Sequence, residues 1–206
     1  FHAVKGGVIE KSANSSSTDG EEVWAFTAPE QFKQLKVLYE NSTLSGSFDN
    51  KPYFFDGAVG SYVVYNSNSE ISKAIIYLTA RRGGDLIYAL DVTNPLAPAI
   101  KWRKSSADNG FSEMGQTWSK PTLSKIKVGT ADKVVLMMGL GYDPDVDDGI
   151  SGTRTQGRGV IIIDAESGAD IWQVTSGSVS SPSGTVLTET AMSYSVPSDL
   201  AVVDRD

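Results

Sequence analysis

The chain has 206 residues, a formal net charge of −7 and no cysteine. With 40% hydrophobic and 21% charged residues it has the composition of a packed domain. The acidic balance argues against nucleic-acid phosphates and anionic lipid, which need clustered Lys and Arg. The missing cysteines exclude disulfides, Cys-ligated zinc and thiol nucleophiles.

In chain order, residues 1–26 read as a β-hairpin whose Ser-rich connection ends at Asp19-Gly20. Pro29 then opens a helix over 29–40, with Phe32, Leu35, Lys36, Leu38 and Tyr39 at helical spacing. Residues 41–50 are a Ser/Gly/Asn-rich loop. Strands follow in sets of four: 53–65, 73–81, 85–92 and 99–104, then 117–126, 133–141, 159–165 and 170–175. Arg81-Arg82 beside Gly83-Gly84 reads as an exposed hairpin tip, and Glu166-Ser167-Gly168 as the tightest turn. Residues 195–204 look like the first strand of a third set. No apolar run approaches the roughly 18 residues that a membrane-spanning helix needs.

One unit recurs: a strand, an acidic or Gly-containing turn, an aliphatic residue, then tryptophan. It ends at Val23-Trp24, at Lys101-Trp102 after Ile100, and at Ile171-Trp172. Recurrence of this kind marks a radially repeated sheet. The expected fold class is therefore all-β, a β-propeller with quinoprotein-like blades and one short helix. Its boundaries are 1–26 as the end of a blade, 27–51 as a helix and loop insertion, 52–104 and 115–175 as full four-stranded blades, and 195–206 as the start of the next. A closed ring takes about four to eight blades, so the chain is read as a partial arc, a single partial domain from a longer protein. The tryptophans are expected to pack between blades with their N–H groups on backbone carbonyls. The alternative is that they line a planar-cofactor or carbohydrate site.

Two acidic segments are candidate metal sites. Asp143, Asp145 and Asp147 alternate as the first ligands of a calcium loop do. The match is incomplete, because Asp148 stands where glycine is expected and Arg154 where the closing glutamate is expected. A solvated acidic excursion over 143–157 is the other reading. The second segment is Asp204-Arg205-Asp206, where a strand runs into the opening half of an Asp-x-Asp loop. Catalysis finds little footing. His2 is the one histidine, and neither a Gly-x-Ser-x-Gly elbow nor a Gly-Lys phosphate loop is present.

These segments taken together resemble the C-terminal propeller of PilY-type type IV pilus assembly and adhesion proteins. The resemblance runs through Phe1-His2-Ala3-Val4, Asp56-Gly57-Ala58-Val59, Arg82-Gly83-Gly84 with Tyr88-Ala89-Leu90-Asp91-Val92-Thr93, and Gly115-Gln116-Thr117-Trp118. It continues through Gly139-Leu140-Gly141-Tyr142, Gly157-Arg158-Gly159, and Ser195-Val196-Pro197-Ser198 to Asp204-Arg205-Asp206. It implies a non-enzymatic factor at the bacterial cell surface, at a pilus tip or the outer membrane. Such a factor acts in pilus extension and retraction and in adhesion. The implied partners are pilus subunits or minor pilins and a host or surface receptor, and the implied cofactor is Ca²⁺, on Asp204 and Asp206. The same strand–turn–Trp unit is similar to the repeats of quinoprotein (PQQ-type) dehydrogenases, the alternative reading together with an outer-membrane assembly scaffold.

Overall fold

The computed structural model describes residues 1–6, 20–40, 51–149 and 152–203, in two compact units, Phe1–Pro52 and Tyr53–Asp206. In the first unit β1 (His2–Val4) pairs antiparallel with β2 (Glu22–Ala25), and the Trp24 ring lies 5.8 Å from that of Phe1. A 3₁₀ turn over Pro29–Gln31 leads into α1 (Phe32–Glu40). The helix forms where its spacing predicts, yet Phe32, Leu35, Leu38 and Tyr39 stand exposed, Tyr39 at 90%. Apolar spacing located the helix without identifying its buried side.

The second unit holds two sheets. The first is a meander of β3 (Val59–Tyr65), β4 (Ile71–Thr79), β5 (Ile87–Asp91) and β6 (Ala99–Lys104). The second is a meander of β7 (Thr122–Val128), β8 (Ala131–Gly139), β9 (Gly159–Asp164) and β10 (Asp170–Thr175). A short helical turn, α2 (Pro144–Asp147), interrupts the β8–β9 connection. The fold is all-β, as expected, and both four-stranded sets form.

Differences fall at the ends of elements. β3 begins at Val59 because Gly57 is pressed onto Thr79, to whose carbonyl its N–H donates at 3.2 Å. β7 begins at Thr122, after Pro121, which has no N–H for the ladder. The short segment Thr185–Thr188 forms an additional strand, β11, parallel to β10. Within its described part, 195–203, the strand expected near the C-terminus reduces to an isolated bridge from Val196 to Gly141. Pro197 directly after that bridge withholds the next ladder N–H.

The two sheets pack face to face. Ile75, Tyr77, Ile87, Ala89 and Trp102 from the first meet Leu136, Met138, Ile161, Ile163 and Ala165 from the second. Phe111 and Met114, from the connector between the sheets, complete this core. The junction centres on one carbonyl: the Tyr77 hydroxyl and the Trp102 indole N–H both donate to Ala165 O, each at 3.1 Å. The indole expected to pack between sheets therefore does so at Trp102. The turn carrying Ala165 is shaped for it, because a Cβ on Gly168 would sit 2.7 Å from Trp102 Cδ2, and Gly168 has φ +71°. Lys73 and Lys101 of the first sheet close on Glu166 of the same turn at 2.7 and 2.9 Å.

The sheets are register copies of one another. Ile75 pairs with Asp91 as Val135 pairs with Asp164, Tyr77 with Ala89 as Met137 with Ile162, and Ala89 with Trp102 as Ile162 with Trp172. The face that the first sheet turns to its neighbour thus reappears on the far side of the second. There Met137, Ile162 and Trp172 are half-buried.

The shared acceptor yields a coupling prediction. Tyr77→Phe and Trp102→Phe each leave the carbonyl one donor and are expected to cost about 1 kcal/mol beyond any packing change. The double variant leaves a buried acceptor with neither, so its loss should exceed the sum of the single losses. A urea-unfolding double-mutant cycle checks this, and strict additivity would count against the shared junction.

Candidate functional site

The acidic excursion between β8 and β9 is the densest group of carboxylates, and its local conformation decides what they do. Pro144 suits the first turn of a helix, and 144–147 take that form. A helical turn advances about 100° per residue, so alternate positions do not share a face, whereas positions four apart do. Asp143 and Asp147 accordingly come together, while Asp145 stands exposed.

The paired carboxylates are engaged by protein donors. Asp143, 3% exposed, accepts the N–H groups of Thr155 at 3.0 Å and Gln156 at 3.3 Å. Asp147 accepts the Asp143 N–H at 3.0 Å and Arg154 Nε at 2.8 Å. Burial works against the charge on Asp147, but the Ser195 hydroxyl, the Asp143 amide and the Arg154 guanidinium together outweigh it and hold its pKa below the usual carboxylate range. Asp148 accepts the Tyr142 hydroxyl at 2.6 Å, which pushes that phenol up to about 12. Calcium needs six to eight oxygens converging on a point. Oxygens already turned to N–H groups and an arginine do not fit that requirement. Among the described residues no group of three or more His, Asp or Glu side chains is placed to hold a metal.

The remaining sequence candidates separate. Asp204 and Asp206 lie outside the described residues. His2 sits exposed beside Glu22 in the β1–β2 hairpin. The Trp172 indole is half-buried on the outer face of the second sheet.

The sequence did not single out what lies beside the acidic loop. Gln116 bridges to Tyr142 through backbone pairing, and the ring of Trp118 packs 5.1 Å from that of Tyr142. On Trp118 lies Arg81, its Cζ 4.2 Å from the ring centroid. Arg81 and Arg82 form a 3₁₀ turn with Gly83, and Arg82 is paired with Asp56 at 2.7 Å and stacked over Tyr53. A run of two arginines among glycines gave the signal for an exposed tip, but not for the aromatic partners, which come from elsewhere in the chain. The connector is further clamped by the buried pair Arg158–Glu113 at 2.6 Å. Among the described residues no helix is long and apolar enough to cross a membrane.

Fold and loops thus define an all-β protein of two stacked, register-matched antiparallel meanders, the second extended by the parallel strand β11. Over 111 residues, 54% of its length, the chain is 35% identical to the type IV pilus biogenesis factor PilY1 homolog of Xylella fastidiosa. It spans 8% of that protein's length. Over this half the chain is thus similar to a PilY1 homolog, in line with the sequence resemblance. The crystal structure of the Pseudomonas aeruginosa PilY1 C-terminal domain aligns with 86% of this chain and 32% of its own at 19% identity and a TM-score of 0.47, a likeness too loose to argue from. No family model matches the chain.

The lowered Asp147 pKa has a pH signature. A carboxyl with a depressed folded-state pKa contributes stability above its unfolded value, near 4, and that contribution is lost as pH falls through the folded value. Asp147→Asn should therefore be less stable than the parent at about pH 7, by about 1 kcal/mol for a largely buried charged hydrogen bond. The gap should close below about pH 4. Chemical denaturation across that range measures it, and a gap that widens in acid would contradict the assignment.

Proposed function

We propose that the chain is a section of a type IV pilus biogenesis factor, a non-catalytic surface protein acting with pilus subunits or minor pilins. The observation that carries this reading is the 35% identity over 111 residues to a protein of that name. Its location is the cell surface, at the pilus tip or outer membrane, and adhesion to a host or surface receptor is part of the same role. The section belongs to a β-propeller: the outer face of the second sheet, with Val135, Met137, Ile162 and Trp172, has the register of the face that already packs against a neighbouring sheet.

Calcium enters this reading through Asp204 and Asp206 and not through the 143–147 loop, whose carboxylates have protein donors. The chemistry is simple: adjacent carboxylates repel one another, and a bound cation would order them. The quinoprotein alternative rests on the strand–turn–Trp unit alone. Trp102 accounts for that unit by packing against Gly168 and donating to Ala165, with no cofactor needed.

Deleting the gene in its parent bacterium is expected to reduce surface pili strongly in sheared-pilus preparations, with recovery on complementation. Normal piliation would overturn the biogenesis reading. Calorimetry of the full-length protein tests calcium separately: Asp204→Ala should abolish one binding event. If Asp204→Ala binds Ca²⁺ as the parent does, the metal assignment fails while the pilus reading stands.

A further inference from the structure

We infer that Arg81, laid on Trp118 beside Tyr142, is a docking point for a carboxylate presented by an acidic segment of a protein partner. The first observation is charge bookkeeping across the described residues of a chain with net charge −7. Each of the other described arginines is matched to a carboxylate: Arg82 to Asp56, Arg103 to Asp108, Arg154 to Asp147 and Arg158 to Glu113. Arg81 has no such ion pair among the described residues. Its guanidinium lies over an indole ring, Cζ 4.2 Å from the centroid. A stacked guanidinium is dehydrated on one face and fixed in direction, while its edge of N–H donors stays available for bidentate pairing with a carboxylate.

The second observation is backbone cost. Arg81 has φ +50°, a left-handed conformation that glycine adopts freely and arginine does not. The neighbours enforce it: the Thr117 hydroxyl accepts the N–H groups of Ala80 at 2.9 Å and Arg81 at 3.3 Å, and Gly84 N–H closes the turn on Arg81 O at 3.2 Å. With Gly83 and Gly84 adjacent, the turn does not need an arginine for its shape. Non-glycine strain held in place by its surroundings clusters at ligand sites.

The third is what flanks the guanidinium. Trp118 is oriented by its own N–H bond to Gln116 Oε1 at 3.0 Å, and Tyr142 by Asp148. These rings form a half-buried platform beside one unpaired cation. Such a point suits a carboxylate presented on a peptide, which the free edge of the guanidinium can take in a bidentate pair.

The probe is an N-acetylated hexaglutamate peptide, with hexaglutamine as control, followed by ¹⁵N NMR of the Trp118 indole. Hexaglutamate is expected to shift that signal saturably and hexaglutamine to leave it in place. Arg81→Gly should weaken binding at least tenfold while keeping or raising the melting temperature, since it relieves the positive φ. Arg81→Lys should keep the charge and still lose several-fold for want of the planar fork. If Arg81→Gly binds the peptide like the parent, or the parent does not bind it, the inference is overturned and the stack is a fastening of the turn. Inorganic phosphate binding as tightly as hexaglutamate would overturn the assignment to a peptide carboxylate.

Discussion

The structure of the larger unit depends on a single acceptor, the carbonyl of Ala165. A backbone carbonyl has two lone pairs, and burying it without partners costs on the order of 1–3 kcal/mol. Here both directions are taken by side chains of the opposing sheet, Tyr77 and Trp102. Hydrophobic contact alone tolerates sliding, because apolar attraction has no direction. Two aromatic donors meeting at one oxygen do not. They fix the relative register of the two sheets while their rings pack into the core between them.

The turn is built to hold that oxygen still. Asp164 accepts the N–H groups of Glu166 and Ser167, both at 3.0 Å, and its other oxygen meets Lys133 at 2.7 Å. Burial alone would raise the Asp164 pKa, but the lysine and the two amides reverse that and keep it ionised. Burial opposes the Glu166 charge as well, and Lys73 and Lys101 outweigh it. Gly168 then lets the chain pass directly beneath the Trp102 ring. The short segment 164–168 thus carries a turn cap that holds its own shape, and a backbone acceptor, a bridging carboxylate and a glycine that each answer a group on the neighbouring sheet.

That economy explains which features could be read from the sequence. Strands built on apolar runs, such as 134–138 and 160–163, carry their own signal, and the recurring strand–turn–aliphatic–Trp unit showed that the pattern repeats. Trp102 was legible because its role follows from that repeat. Features set by other parts of the chain were not. Spacing placed α1 correctly but could not say that Phe32, Leu35 and Tyr39 would be exposed, since a helix face is chosen by what packs against it. β11 has no apolar alternation and exists through its parallel pairing with β10. In the acidic loop the alternation of Asp143, Asp145 and Asp147 presumes an extended chain, but Pro144 starts a helical turn that separates the middle carboxylate from its neighbours.

The same logic locates what can differ between this chain and its relatives. The sheets have little freedom, because their facing residues are fully buried and coupled through Ala165. The connections at 81–84, 116–118 and 142–149 are held differently, by backbone bridges and hydroxyl bonds that fix the main chain while Arg81, Trp118 and Tyr142 stay half-buried. Thr117 illustrates this: its side chain is wholly committed to Ala80, Arg81 and Leu86, while Trp118 beside it keeps its ring available to Arg81 and Tyr142. A rigid frame that imposes strain on Arg81 converts packing energy into the placement of one cation. Specificity for a partner can then change at these connections without disturbing the junction that keeps the sheets in register.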